Sequence, residues 1–268
     1  MLNALALYGR YCATSVQAQF AYAGSTLMMT FGQFLVTAIE FLGVLALFHR
    51  FGHIQGWSLG EVAIFYGQVN ITFAFADMIT RGFDIFGSVY VRTGAFDRLL
   101  LRPRATALQV LGHELRLTRI GRFVQGAAVF AIGAHLAHFQ MTPQAFGMIV
   151  WATLGGTALF SGLMIFQATL SFWTIESLEA VNILTYGGVA ASEYPLSVYA
   201  RWFRDLLTFV VPIGAVAYFP MVAALGRHDP LGYPDAFLVA SPALGLVFLA
   251  VSLCAWTVGV RHYASTGS

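Results

Sequence analysis

The chain has 268 residues, 58% of them hydrophobic and only 10% charged, with a formal net charge of +2. Soluble domains carry about 25% charged residues, so water is not the main solvent of this protein. All 14 basic residues are arginine; a Walker A loop needs its lysine on the nucleotide phosphates, which excludes a P-loop ATPase.

A bilayer core roughly 30 Å thick takes about 20 apolar residues per helical crossing, so the length has room for about six crossings in one domain, residues 1–268. An all-α polytopic membrane protein is expected. Residues 1–24 lack the basic start, short apolar core and cleavage site of a signal peptide, because Tyr8, Arg10, Gln17 and Gln19 interrupt them. Residues 3–22 are too polar to span and suit a helix lying along the headgroups. The first crossing is expected over residues 26–48 and the second over 59–79, as a hairpin closed by residues 50–57.

Between residues 81 and 119, Arg81, Arg92, Arg98, Arg102, Arg104, Arg116 and Arg119 outnumber Asp84, Asp97 and Glu114. The positive-inside rule places this loop in the cytoplasm. The third crossing follows over 121–137 and the fourth over 146–173, with the uncharged turn 139–144 outside. Residues 176–204 mix acids, Gly187-Gly188 and Pro195 with apolar runs, and are expected as a cytoplasmic interfacial segment. A fifth crossing fits 205–225, kinked at Pro212 and Pro220, and a sixth fits 236–260, which leaves both termini cytoplasmic. In the alternative, residues 181–200 also cross and Arg261 falls outside; Arg201, Arg204 and Arg261 favour the first version by the same charge rule.

Glu40 lies near the middle of the first crossing, where a charge costs about 3 kcal/mol, so it must face protein or water. Glu61 and Gln68 share one face of the second crossing, as do Asn70 and Asp77, since each pair is seven residues apart. Glu40, Gln68 and Asn70 are the candidate lining of a hydrated pathway; the plain alternative for each of these polar residues is a hydrogen bond to a neighbouring helix or, as for Glu61 and Asp77, a place at the membrane ends. His135 and His138 have no carboxylates beside them to complete a metal site, and Cys12 and Cys254 stand far apart without ligand spacing. No HExxH or GxSxG motif is present. Gly155-Gly156 and Ser161-Gly162 suit close helix packing. Within the arginine-rich loop, residues 93–103 combine a glycine start, Asp97 near a helix N-terminus, the apolar Phe96, Leu99 and Leu100, and a stop at Pro103. That pattern describes a short amphipathic helix at the membrane surface, able to carry force to a soluble partner.

The segments 94–103, Glu193-Tyr194-Pro195-Leu196 through Arg201 with Pro212 and Tyr218-Phe219-Pro220, and Gly259-Val260-Arg261-His262-Tyr263 with 265–268 carry a resemblance to a known family. The chain resembles permeases of the ATP-binding-cassette type-2 family, in the branch of small six-crossing bacterial permeases related to daunorubicin-type exporters. The resemblance implies a non-catalytic subunit that moves a substrate, by export, across the bacterial cytoplasmic (inner) membrane. It implies two copies of a partner ATPase that hold the ATP and Mg, and a second permease, identical or homologous; the chain itself is expected to bind no cofactor or metal. Lipids are expected around it, and no nucleic acid. It assigns the ATPase-docking coupling helix to Phe96, Asp97, Arg98, Leu101, Arg102 and Pro103. It also implies an amphipathic connecting helix before the first crossing, in agreement with the polarity of residues 3–22. Two other readings stand beside this one: a membrane-embedded enzyme using Glu40, Glu61 or Asp77, and a non-transporting scaffold that uses the same coupling surface.

Overall fold

The computed structural model describes residues 2–174 and 182–264. The segment 265–268, and the start of the interfacial segment expected at 176, lie outside the described residues. Every named element among them is helical. Helix α1 (Leu2–Ala21) breaks at Tyr22 into α2 (Ala23–Phe51). Helix α3 (Leu59–Asp84) begins at a capping box, in which the Ser58 side chain accepts from the Glu61 amide and the Glu61 carboxylate accepts from Ser58. A π-helical turn, Gly87–Val91, prolongs it. The arginine-rich stretch folds as α4 (Asp97–Leu100) and α5 (Thr106–His113). Helices α6 (Ile120–Leu136) and α7 (Pro143–Thr174) follow. The remainder is α8 (Gly188–Ser192), α9 (Arg201–Asp205), α10 (Ile213–Ala224), α11 (Asp235–Ala240) and α12 (Ala243–His262).

Four helical segments, α2, Leu59–Val91, α7 and α12, are long and apolar enough to cross a membrane. Helix α6, of 17 residues, covers about 26 Å at 1.5 Å per residue, and the 3₁₀ turn Leu117–Arg119 extends it. Helix α3 is the centre of the bundle and runs antiparallel to α6 at very close range. Gly60 and Gly67 on α3 face Gly133 and Gly126 on α6. A β-carbon at Gly67 would lie 2.6 Å from the Gly126 carbonyl oxygen, and one at Gly133 would lie 2.7 Å from that of Gly60. Seven-residue glycine spacing on both partners keeps the two backbones in contact along one seam. On the other side α7 packs on α3, and α12 packs on α7 through Gly155 and Gly245, the close helix contact expected of Gly155.

The segment 183–225 departs from the expected topology. The Tyr186 hydroxyl donates to Asp84 at one end of α3, Glu193 accepts from Asn70 at its middle, and Ser197 accepts from Trp57 beside its other end. Residues 183–198 therefore pass through the bundle instead of lying at an interface. Arg201 and Arg204 come out at the far end, beside Pro230 and Tyr233. The expected crossing over 205–225 is replaced by a re-entrant hairpin. Arg201–Val210 descends from the far end, the chain bends by 100° at Val211-Pro212, and α10 climbs back to it. Ile213 packs against Gly188 at mid-depth, whereas Ala224 neighbours Glu61 at the far end. Twelve residues of α10 rise about 18 Å, little more than half a bilayer core. Because the hairpin returns to its own side, α12 still delivers Arg261 to the arginine-rich end, with no flip despite the passage at 183–198. The passages are then α2, α3, α6, α7, residues 183–198 and α12. The protein is an all-α, multi-pass membrane protein.

Candidate functional site: a polar midplane and an exposed coupling tip

At the middle of the bundle, α2, α3, α6 and the passage 183–198 meet in a chain of hydrogen bonds. Arg122 Nε donates to Asn70 Oδ1 at 2.7 Å, and Asn70 Nδ2 donates to Glu193 Oε1 at 3.0 Å and to the Tyr66 carbonyl at 2.9 Å. The Tyr66 hydroxyl donates to the Thr37 carbonyl of α2 at 2.6 Å, and Gln125 Nε2 donates to the same oxygen at 3.3 Å. Arg122 also lies 4.7 Å over the Phe73 ring. Asn70 thus has acceptor and donor both engaged, linking a cation on α6 to an 8% exposed carboxylate on the broken passage. Networks of this kind hold a single arrangement only while every member is satisfied.

Glu40 stands within electrostatic range of Glu193 and Tyr66, yet it is exposed on the flank of α2. No ion pair reaches it among the described residues. Glu40 and Asn70 thus lie on either side of Glu193 and Tyr66, without a direct contact between them among the described residues. Gln68 does not join them: two residues from Asn70 on the helix, it points to the opposite side. There it donates to Thr153 Oγ1 at 2.9 Å and to the Ile149 carbonyl at 3.3 Å of α7, so it joins helices and does not line the Asn70 face. Glu61 and Asp77 are both held by arginines, Glu61 by Arg227 at 2.7 Å and Asp77 by Arg119 at 2.6 Å and Arg81 at 3.7 Å. Sequence reasoning missed Glu193 and Arg122. The insertion cost that singled out Glu40 applies to an acid between the apolar runs 181–186 and 196–199, but Arg122 is only the second residue of the expected third crossing, where that cost gives little signal.

At the arginine-rich end, the loop after α3 doubles back as α4 over an aromatic cluster. Phe96 is fully buried, with its ring centroid 4.9 Å from Tyr263, 5.2 Å from Phe86, 5.3 Å from Phe172 and 6.2 Å from Trp256. Trp256 Nε1 in turn donates to Thr106 Oγ1 of α5 at 3.1 Å. These rings come from the continuation of α3 and from the ends of α7 and α12. The coupling set consequently divides. Arg98, Arg102 and Pro103 are exposed, and Leu101 is 85% exposed, while Phe96 lies buried beneath them and offers no surface for a partner to meet. Asp97 is partly exposed at the first turn of α4. Helix α1 braces the same region: Ser15 Oγ and Gln19 Nε2 both donate to the Leu115 carbonyl, and Tyr11 packs on Gly112.

A family model described as "ABC-2 family transporter protein" matches residues 34–267. No curated protein and no solved structure matches the chain.

Proposed function

The chain belongs to the ABC-2 family of transporter proteins, and on that premise we propose that it is the membrane-spanning permease of an exporter driven by a separate ATPase docked on the arginine-rich end. The family itself implies a permease subunit associated with an ABC ATPase. In our reading two ATPase copies supply ATP and Mg, and a second permease, identical or homologous, completes the membrane unit. The arginine-rich end and both termini face the cytoplasm of a bacterium, in keeping with the charge rule.

The observation that carries this reading is the build of the coupling tip. An exposed Arg98, Leu101, Arg102 and Pro103 ride on Phe96, which is packed against α7, α12 and the continuation of α3. A push on the tip is thereby passed to three membrane elements through rings in van der Waals contact, the stiff linkage that ATP-driven closure requires. The second permease is supported by Glu40. A carboxylate at mid-depth on an outer helix flank would cost about 3 kcal/mol in lipid, so that flank faces water or another chain. Substrate then moves along the Glu40 flank, with Asn70, Arg122 and Glu193 behind it. For the enzyme reading, two of its three acids, Glu61 and Asp77, are occupied by arginines, and Glu40 stands on an outer flank with no second acid or base paired to it among the described residues.

The test is co-reconstitution in sealed proteoliposomes with the partner ATPase. Substrate-stimulated hydrolysis should need the permease and should be lost in the charge-reversed double variant Asp97→Arg/Arg102→Glu. Normal stimulated transport in that variant would overturn the reading.

A further inference from the structure

The far end holds a second polar feature, independent of the permease reading. Between the descending limb Arg201–Val210 and the loop before α11 lies a cavity of about 320 Å³ lined by Arg201, Arg204, Asp205, Thr208, Leu231 and Tyr233 among others. Arg201 and Arg204 are three residues apart on one helix and so share a face. Neither guanidinium has a carboxylate within ion-pair distance among the described residues, Asp205 included. By contrast, Arg227 at the same end is paired with Glu61 and stacked 4.4 Å over the Trp57 ring. Among the lining residues two arginines stand against one aspartate, Asp205; Asp229 lies behind the rim, its carboxylate already accepting from the Leu231 and Tyr233 amides and the Tyr218 hydroxyl. The cavity also has two hydroxyls, from Thr208 and Tyr233; a phenol is a donor at neutral pH, and burial, then Asp205 and Asp229, push the Tyr233 value up against the opposing Arg204 and Arg201.

We propose that this cavity binds a phosphate group, with Arg201 and Arg204 as a paired clamp and Thr208 and Tyr233 as supplementary donors. The guanidinium fork matches phosphate oxygens two at a time, and two forks on one helix face suit a doubly charged phosphate monoester. The volume is that of a small-ligand site and accepts a headgroup but not acyl chains. Trp202, Phe209 and Val210 are exposed along the same limb, which places its apolar flank against lipid and its arginines at headgroup level. The phosphate can come from a phospholipid or from solution, and the experiment distinguishes the two.

The purified permease would be incubated with vesicles of phosphatidylcholine containing phosphatidic acid, and bound lipid counted by native mass spectrometry with and without millimolar inorganic phosphate. The wild type should retain phosphatidic acid at least tenfold over phosphatidylcholine. The Arg201→Gln/Arg204→Gln variant should lose that preference, Arg201→Lys/Arg204→Lys should keep part of it, and Arg50→Gln should leave it intact. Displacement by inorganic phosphate would assign the site to phosphate as such; resistance to displacement would assign it to the lipid headgroup. Undiminished preference in the double glutamine variant, with unchanged helix content and a monodisperse elution profile, would overturn the proposal.

Discussion

Truncating Phe96 to alanine should loosen the coupling segment without touching its exposed face. A fully buried phenylalanine removes roughly 200 Å² from water, worth about 5 kcal/mol at about 25 cal/mol per Å². Phe→Ala substitutions in packed sites cost about 3–5 kcal/mol, because the cavity only partly collapses. Four rings line the vacated space, from Phe86, Phe172, Trp256 and Tyr263, and rings fixed from three directions collapse poorly, so the upper half of that range applies. If the loss falls on local opening, each 1.4 kcal/mol is a factor of ten, and amides of residues 92–104 should lose roughly three decades of hydrogen-exchange protection. Leu101→Asp is the matched control: at 85% exposure it should leave protection within about threefold of wild type while abolishing co-purification of the ATPase. Exchange of 92–104 unchanged in Phe96→Ala, measured by mass spectrometry in nanodiscs, would refute the anchoring role.

Other outcomes follow from the same packing. Arg122→Met removes the cation that faces Asn70 and leaves Glu193 in the bundle without charge compensation, which should cost about 3–5 kcal/mol; adding Glu193→Gln should recover most of it in a thermal-stability series, and strict additivity of the two changes would count against a shared network. A β-carbon at Gly245 would collide with the Gly155 carbonyl, so Gly245→Ala should destabilise the α7/α12 pair by about 1–3 kcal/mol, whereas Gly147→Ala, with open space around it, should be neutral in the same assay. Cysteines replacing Trp202 and Arg98 should react with an impermeant maleimide from opposite faces of right-side-out vesicles; labelling of both from one face would break the hairpin topology.

Much of the fold was legible because the physical signal was length. Helices α2, α3, α7 and α12 are long apolar runs, and their ends fall within a few residues of the expected spans apart from the start of α12, where Pro242 detaches α11, and the end of α3, whose span continues past the expected 79 to Val91. The re-entrant hairpin was not legible. Two half-length apolar limbs joined at Val211-Pro212 have the same composition as one kinked crossing, and only tertiary contacts tell them apart. A passage over 181–200 stood only as the alternative reading, because Gly187-Gly188, Glu193 and Pro195 lower its apolarity and the charge rule favoured the interfacial version. The charge rule then misplaced Arg201 and Arg204, because it counts arginines without knowing that a cavity holds them. In the segment 93–103, sequence could not separate the buried Phe96 from the exposed Leu101. Both are apolar, and what divides them is the aromatic cluster assembled from the distant Phe172, Trp256 and Tyr263.

The central claim is that force reaches this membrane protein through the tip Arg98–Pro103, and site-specific crosslinking tests it most directly. With Leu101→Cys in proteoliposomes containing the partner ATPase, a short bismaleimide should trap a permease–ATPase adduct through a cysteine in the ATPase groove, and trapping should abolish transport while a reducible linker, once cleaved, restores it. Absence of any adduct from position 101, alongside full ATP-driven transport, would contradict the claim.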